Sequence, residues 1–594
     1  MNHTFHIPVL GLAFSIDTPV KVARYGISSV VSIVDDILIE RMRQFYAKKI
    51  DEDFVPISSK VPDFRAKRIT AYLNLLKQIV DKQFDLLKCS EFSPGSEISK
   101  YFELLPDRSL LKKLYNEMLL LSDINTKKNV QTELRKQLYC GSIDVNIMSK
   151  VDKMNFSSEG DNLGDQFTDA IAALRGFAQS DLNSSLILSA GMNPRLYSSL
   201  EDFYDFYPTY NQSFKKQIIL KVSDFRSAFI QAKFLAKKGL WISEFRIESG
   251  LNCGGHAFAT EGYLLGPILE EFKQRREEMA DSLFEIYQNA LKTKELAVDQ
   301  IPTQRLTVQG GIGTADEDRF LVDYYKLDGT GWGSPFLLVP EATNVDDGTL
   351  ESLEFATQDD FYISGSSPLG IPFNNFRKSS AEELRLERIK KGRPGSPCKK
   401  KFLVSNTEFT EQPICTASRE FQNLKIKQLE TANLPEQEFK KQFDLITEKV
   451  CLCEGLATSA YIKNNILEPK ERTAVAICPG PNLAYFSGRF TLEQMIKHIY
   501  GKVNLLNDIE RPNLFINELK LYVEYLNKEI DMQVEQLNEK KRKYLLKFKE
   551  QLQNGINYYK ELIPNLYNEK EIYRNKMLND LLKFEHKLAT EIFI

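Results

Sequence analysis

The sequence predicts an α/β fold: a (β/α)8 TIM barrel with a helical insertion, followed by a cysteine-bearing segment and a C-terminal helical hairpin. Three observations lead there. Eight short apolar strand candidates fall within the first 345 residues. Helical stretches alternate with them, as in a parallel sheet. Glycine turns follow the late strands, at the end where this barrel keeps its active site. An open doubly wound sheet is the alternative built from the same alternation.

The elements follow in order. HIPVLGLAF, 6–14, reads as a buried strand. TPVKVARYG reads as a short helix with Thr18 as N-cap, Pro19 at the first helical position and Gly26 closing it. SSVVSIV, 28–34, is a second strand. Residues 36–136 place Leu, Lys, Glu and Gln at helical spacing and read as the insertion. Strands resume at 141–149, 184–191, 216–222, 240–249, 304–311 and 331–342. These boundaries give a barrel over 1–345, an irregular cysteine-containing segment over 346–507 and the hairpin over 508–594. In that last part apolar residues from Leu519 to Tyr559 recur at steps of three and four. Pro564 ends that helix and a second runs from about 567 to 592. The hairpin either packs on the barrel or forms a homo-oligomer contact.

Composition narrows the function classes. A net charge of −3 gives no pull toward nucleic acid or an anionic membrane, so the expected partner is a small-molecule substrate. No window approaches a membrane-spanning length of unbroken apolar residues. The first residues lack the basic start and continuous apolar run of a signal peptide. Eight cysteines in 594 residues are too few for a disulfide-stapled scaffold, and a cytoplasmic location is expected.

Two glycine motifs form one candidate anion site. VQGGIGTADE places Gly310, Gly311 and Gly313 after the seventh strand. GTGWGSPF places Gly333 and Ser334 around the eighth. Glycines let backbone amides approach an anion, and a helix starting near Thr314 adds its dipole. Loops after strands seven and eight are the usual phosphate site of this barrel. Upstream, ESGLNCGGHAF sets Gly254 and Gly255 directly before His256, one of five histidines; the other four stand far along the chain from any glycine motif.

With these motifs in order, the chain resembles the nitronate monooxygenase (2-nitropropane dioxygenase) family of FMN-dependent TIM barrels. Gly250, Gly254, Gly255, His256, Gly310, Gly311, Ile312, Gly333 and Phe336 match its pattern. The resemblance implies FMN held by Gly250, Gly254, Gly255, Gly310, Gly311, Gly313, Gly333 and Ser334, with Asn146 in GSIDVNI and Lys221 in KQIILKV as further cofactor neighbours. It implies His256 as base, proton donor or hydrogen-bond partner of the substrate. Departures are Ser249 for Gln, Asn252 for Glu, Cys253 for Ala, Ser334 for Thr, and Leu12, Ala13 and Phe14 for Ala-Pro-Met. These change the substrate side more than the cofactor side.

The resemblance thus implies a flavin-dependent oxidoreductase acting on a small organic substrate. The related enoyl reductases of fatty acid and polyketide synthesis share the barrel and the GGH motif, so an enoyl-thioester reductase is a second reading. A non-catalytic interaction protein on the same scaffold is a third. Cys398, Cys415, Cys451, Cys453 and Cys478 cluster in sequence without CxxC spacing. Either they bind an iron–sulfur cluster or zinc, or they are unliganded thiols. A cluster beside a flavin would bring in a protein electron donor.

Overall fold

The computed structural model describes residues 3–157, 159–189, 191–257, 261–531, 539–566, 571–590 and 592. Eight parallel strands close into a barrel in chain order: β1 (Phe5–Ile7), β2 (Ser28–Ser32), β3 (Ile143–Met148), β4 (Ser184–Ser189), β5 (Lys216–Val222), β6 (Ile242–Glu248), β7 (Arg305–Gln309) and β8 (Gly329–Gly331). The seam pairs Phe5 with Thr330 and His6 with Gly331. The open-sheet alternative is excluded.

Strand period two layers the interior. Val30, Ile187 and Ile219 form a small apolar plug of their own, packed by Val9. Two residues earlier, Ser28, Ser185 and Gln217 face a polar chamber at the N-terminal end; two later, Ser32, Ser189 and Lys221 face the C-terminal mouth.

The two strands at the seam are shorter than the sequence suggested. After Ile7 the chain turns, because Pro8 has no amide to donate. The eighth strand is Gly329–Gly331, not 331–342, and Ser334–Leu338 is a 3-10 helix with Pro335 in its first turn. Thr18 is the first helical residue rather than the cap, and its hydroxyl donates to the Ala342 carbonyl at 2.7 Å.

The insertion between β2 and β3 comprises helices Asp36–Lys49, Phe64–Cys89, Glu97–Leu104, Leu110–Leu120 and Ile124–Lys136. The longest packs on the barrel helix Asp169–Ala178 so closely that a Cβ at Gly176 would stand 2.7 Å from Ile69 Cβ. Buried Asp36 ties the insertion down through Arg65 at 2.7 Å and Arg68 at 2.8 Å.

Residues 346–507 are more ordered than expected. They hold an antiparallel pair, β9 (Phe361–Ser364) and β10 (Phe373–Phe376), and six α-helices. Several of these helices carry few apolar residues and start at side-chain caps, as Ser379 and Ser418 do, so periodicity alone concealed them. Among the described residues the C-terminal region is helical, in three α-helices: Leu514–Asp531, Glu539–Leu562 and Glu571–Thr590. The helix read straight through to Tyr559 is thus two; Val534 and Leu537 lie outside the described residues. One continuous apolar core runs through barrel, insertion and C-terminal helices. No helix among the described residues is long and apolar enough to cross a membrane.

Candidate active site at the barrel mouth

The segment after β6 is extended and held on both sides by isolated bridges. Gly254 bridges to Pro479 and His256 to Phe373. The Gly255 amide donates to the Cys478 carbonyl at 3.0 Å, the Asn374 amide to the Gly255 carbonyl at 2.9 Å, and the Ala257 amide to the Pro372 carbonyl at 2.8 Å. Asn252 locks the turn from inside, donating to the His256 carbonyl at 2.7 Å and accepting from Asn374 at 2.7 Å. This explains the glycine pair. A Cβ on Gly254 would lie 2.2 Å from the Cys478 carbonyl oxygen, whereas one on Gly255 meets nothing within 4 Å, because Gly255 borders a cavity.

That cavity, about 110 Å³, sits over the C-terminal ends of the strands. It gathers Asn146 from β3, Lys221 from β5 and Gly254, Gly255 and His256 after β6, and is covered by Phe373, Phe402 and Cys453 from beyond the barrel. Lys221 pairs with Glu248 at 2.7 Å, and Gln309 donates to the same carboxylate at 2.8 Å. His256 Nε2 shares a 2.7 Å hydrogen bond with the Ser367 hydroxyl, and its ring meets Phe373 edge-on at 5.1 Å. Burial, with Lys150 and Lys221 nearby, pulls the His256 imidazole down to about 4. It is therefore neutral at physiological pH, in a positive surrounding.

The glycine loops after β7 and β8 are not open. Glu317 Oε2 accepts from the Gly313 amide at 2.9 Å, and Arg511 donates to Glu317 Oε1 at 2.7 Å. A Cβ on Gly313 would stand 2.4 Å from Arg511 Nε, and one on Gly311 2.6 Å from a Leu514 methyl. Ser334 Oγ donates to the Cys253 carbonyl at 2.9 Å and accepts from the Gly480 amide at 2.7 Å. Gly310 and Gly333 press on Asn252 and Cys253, and Gly250 on Tyr522. The cradle meant for a phosphate is filled by the chain, and these residues do not fit the FMN phosphate. Two of the other histidines are close in space to the glycine motifs: His6 stands against Gly331, and His498 Nε2 lies 3.0 Å from the Gly313 carbonyl oxygen.

Cys398, Cys415, Cys451 and Cys453 lie close enough to one another to interact electrostatically. Cys398 and Cys415 border one surface groove, with the Cys415 thiol hydrogen-bonded to the Cys398 sulfur. Cys451 and Cys453 open the helix Leu452–Lys463. Cys478 lies at the barrel mouth, where burial pushes its thiol up to about 12. Among the described residues no group of three or more His, Cys, Asp or Glu side chains is placed to hold a metal ion, so the iron–sulfur or zinc ligand set drawn from the sequence is not assembled.

Sequence reasoning missed Ser367, Phe373 and Glu248, which contact the site, and Glu317, Arg511 and Glu518, which brace it. Their signal is weak because all but Glu248 and Glu317 come from beyond the barrel, and those two sit at the edges of the glycine motifs, where the glycines and His256 draw the reading.

No family model matches this chain, and no curated protein does. Among solved structures, FabK from Thermotoga maritima is 12% identical over 69% of this chain and 85% of that chain, with a TM-score of 0.29. The enoyl reductase domain of MlnA from the macrolactin biosynthesis cluster of Bacillus amyloliquefaciens is 14% identical over 64% of this chain and 86% of that one, at 0.34. Nitroalkane oxidase from Streptomyces ansochromogenes is 10% identical over 64% and 84%, at 0.30.

Proposed function

We propose that the chain is an oxidoreductase that binds a small organic molecule at the barrel mouth, with His256 as its proton-transfer or hydrogen-bonding group. The observation that carries this reading is the convergence of Asn146, Lys221 and His256, from three different strand ends, on one cavity. A neutral imidazole beside two lysines suits a substrate that is anionic or becomes so on losing a proton, such as a nitronate or an enolate. Phe373 and Ser367 hold the ring in place. The cavity is smaller than the roughly 300–1,000 Å³ of drug-sized sites, so the bound group is a small one. The redox half of the reading rests on the motif resemblance, and the binding and acid–base half on the geometry.

The test is a screen of nitroalkanes, nitronates and enoyl thioesters by thermal shift and turnover, on wild type and His256→Asn. A ligand that stabilises wild type and loses its effect with Lys221→Met or His256→Asn supports the site. A ligand whose effect survives both changes places binding elsewhere. A second reading, a barrel that binds without turnover, is favoured by the filled phosphate cradle; binding without reaction across the screen would select it.

A further inference from the structure

The loops after β7 and β8, with the N-terminus of helix Ala315–Tyr324, are where this barrel ordinarily receives a phosphate. Here the Gly313 amide, the Glu317 amide and the Ser334 hydroxyl all have partners from the chain. The Glu317 carboxylate takes the Gly313 amide at 2.9 Å, the Leu514 amide at 2.7 Å and Arg511 at 2.7 Å. Arg511 also donates to the Gly311 carbonyl at 2.6 Å and to Asn482 at 3.0 Å, and Asn482 donates back to the Ile312 carbonyl at 2.8 Å. The two charged side chains are 4% and 3% exposed, so their attraction is little screened by solvent. Breaking such a pair from one side is costly, which makes the arrangement a lock rather than a lid.

We infer that this chain supplies its own anion to the phosphate subsite: the Glu317 carboxylate, paired with Arg511, replaces the phosphate of a flavin mononucleotide, so ligands of the barrel mouth are recognised without a phosphate anchor. The second half of this statement rests on the proposed function, and the first half does not. The lock has a structural use. Arg511 and Leu514 lead into helix Leu514–Asp531, so the internal anion fastens the C-terminal bundle to the barrel at the loops a cofactor would otherwise order.

The test uses the full-length protein. FMN and riboflavin, which differ only in the phosphate, are titrated in parallel by flavin fluorescence and calorimetry. Equal affinities, within about 3-fold, or binding of neither, is the expected result. FMN tighter than riboflavin by about 100-fold or more, or stoichiometric FMN in the purified protein, overturns the inference. Glu317→Ala gives the converse. Its Tm falls, and inorganic phosphate at matched ionic strength raises it again, while wild type does not respond. A folded Glu317→Ala protein indifferent to phosphate also overturns the inference. If that variant does not fold, the flavin pair alone decides. Failure of the proposed function is read separately, as absence of substrate binding at the mouth, and leaves the FMN-to-riboflavin ratio unchanged.

Discussion

The Glu518 carboxylate, on helix Leu514–Asp531, accepts from the Gly250 amide at 2.7 Å, at the end of β6. Its other oxygen accepts from the Leu265 amide at 2.7 Å, at the start of helix Leu265–Lys292, and Ser249 donates to the first at 3.1 Å. A single side chain of the C-terminal bundle thus caps the loop that carries His256. Complete burial raises its pKa to about 7.

This sets a pH dependence. The folded-state pKa lies above the ordinary carboxyl value of about 4.3, so between the two the folded chain holds a proton that the unfolded chain releases. Stability is full below the unfolded pKa and is lost as pH rises toward and through 7. The loss is at most about 4 kcal/mol by pH 8. Glu518→Gln, which keeps an acceptor oxygen, should flatten the curve: its Tm should fall less than that of wild type between pH 5 and pH 8. Parallel Tm-against-pH curves would remove the assignment.

Gly254 and Gly255 separate a packing role from a site role. Gly254→Ala forces a methyl against the Cys478 carbonyl at 2.2 Å with φ at +124°. The bridge to Pro479 must open, and a loss of about 3 kcal/mol or more in urea unfolding is expected. Gly255→Ala meets no atom and bears only the strain of φ +78°, on the order of 1–2 kcal/mol. Its methyl enters the cavity, so ligand binding should suffer more than folding. Equal destabilisation by the two would contradict the arrangement.

These contrasts show what could be read from the chain. The barrel was legible because its strands are short apolar runs between helices. The layering was legible too: Ser28-Val30-Ser32, Ser185-Ile187-Ser189 and Gln217-Ile219-Lys221 each put polar groups on either side of one apolar residue at period two. Gly331 is harder. It ends a three-residue strand and serves close packing against His6 and Gln309, which looks the same in sequence as a glycine that opens a phosphate site. The carboxylates that settle the question, Glu317 and Glu518, are ordinary helix residues until the fold brings them under glycine amides. The same holds for Ser367, 111 positions from His256. Long-range pairing of this kind leaves no local pattern.

Thiol reactivity follows from the Cys398–Cys415 contact. The Cys415 thiol donates to Cys398 and lowers its pKa to about 7, against the burial that raises it. Cys398 should therefore alkylate readily with iodoacetamide near pH 7.5, ahead of buried Cys253, Cys453 and Cys478, which burial holds in the thiol form. Cys415→Ala removes the donor and should slow Cys398 labelling by about 3- to 10-fold at that pH. Peptide mapping by mass spectrometry reads both. Labelling of Cys398 unaffected by Cys415→Ala would show that the contact does not set its reactivity.

The decisive measurement concerns His256. Burial first, then Lys150 and Lys221, hold its pKa near 4, below the ordinary imidazole value of about 6.5. A depressed imidazole contributes stability that is present above the unfolded pKa and is lost as pH falls toward 4. Activity that needs the neutral ring should therefore be level from about pH 5.5 upward and show no inflection near 6.5 from this residue. The imidazole proton resonances, assigned by difference with His256→Asn, should titrate below pH 5. His256→Asn should leave Tm nearly unchanged, since the backbone bonds of Gly255 and Ala257 do not involve the ring. Turnover should fall by about 10²–10⁴, the weight of one acid–base group. A structural role predicts the opposite pair of results, a large drop in Tm with turnover per folded molecule intact. A resonance titrating near 6.5 would place the ring in solvent rather than in the cavity, and would take the catalytic assignment of His256 with it.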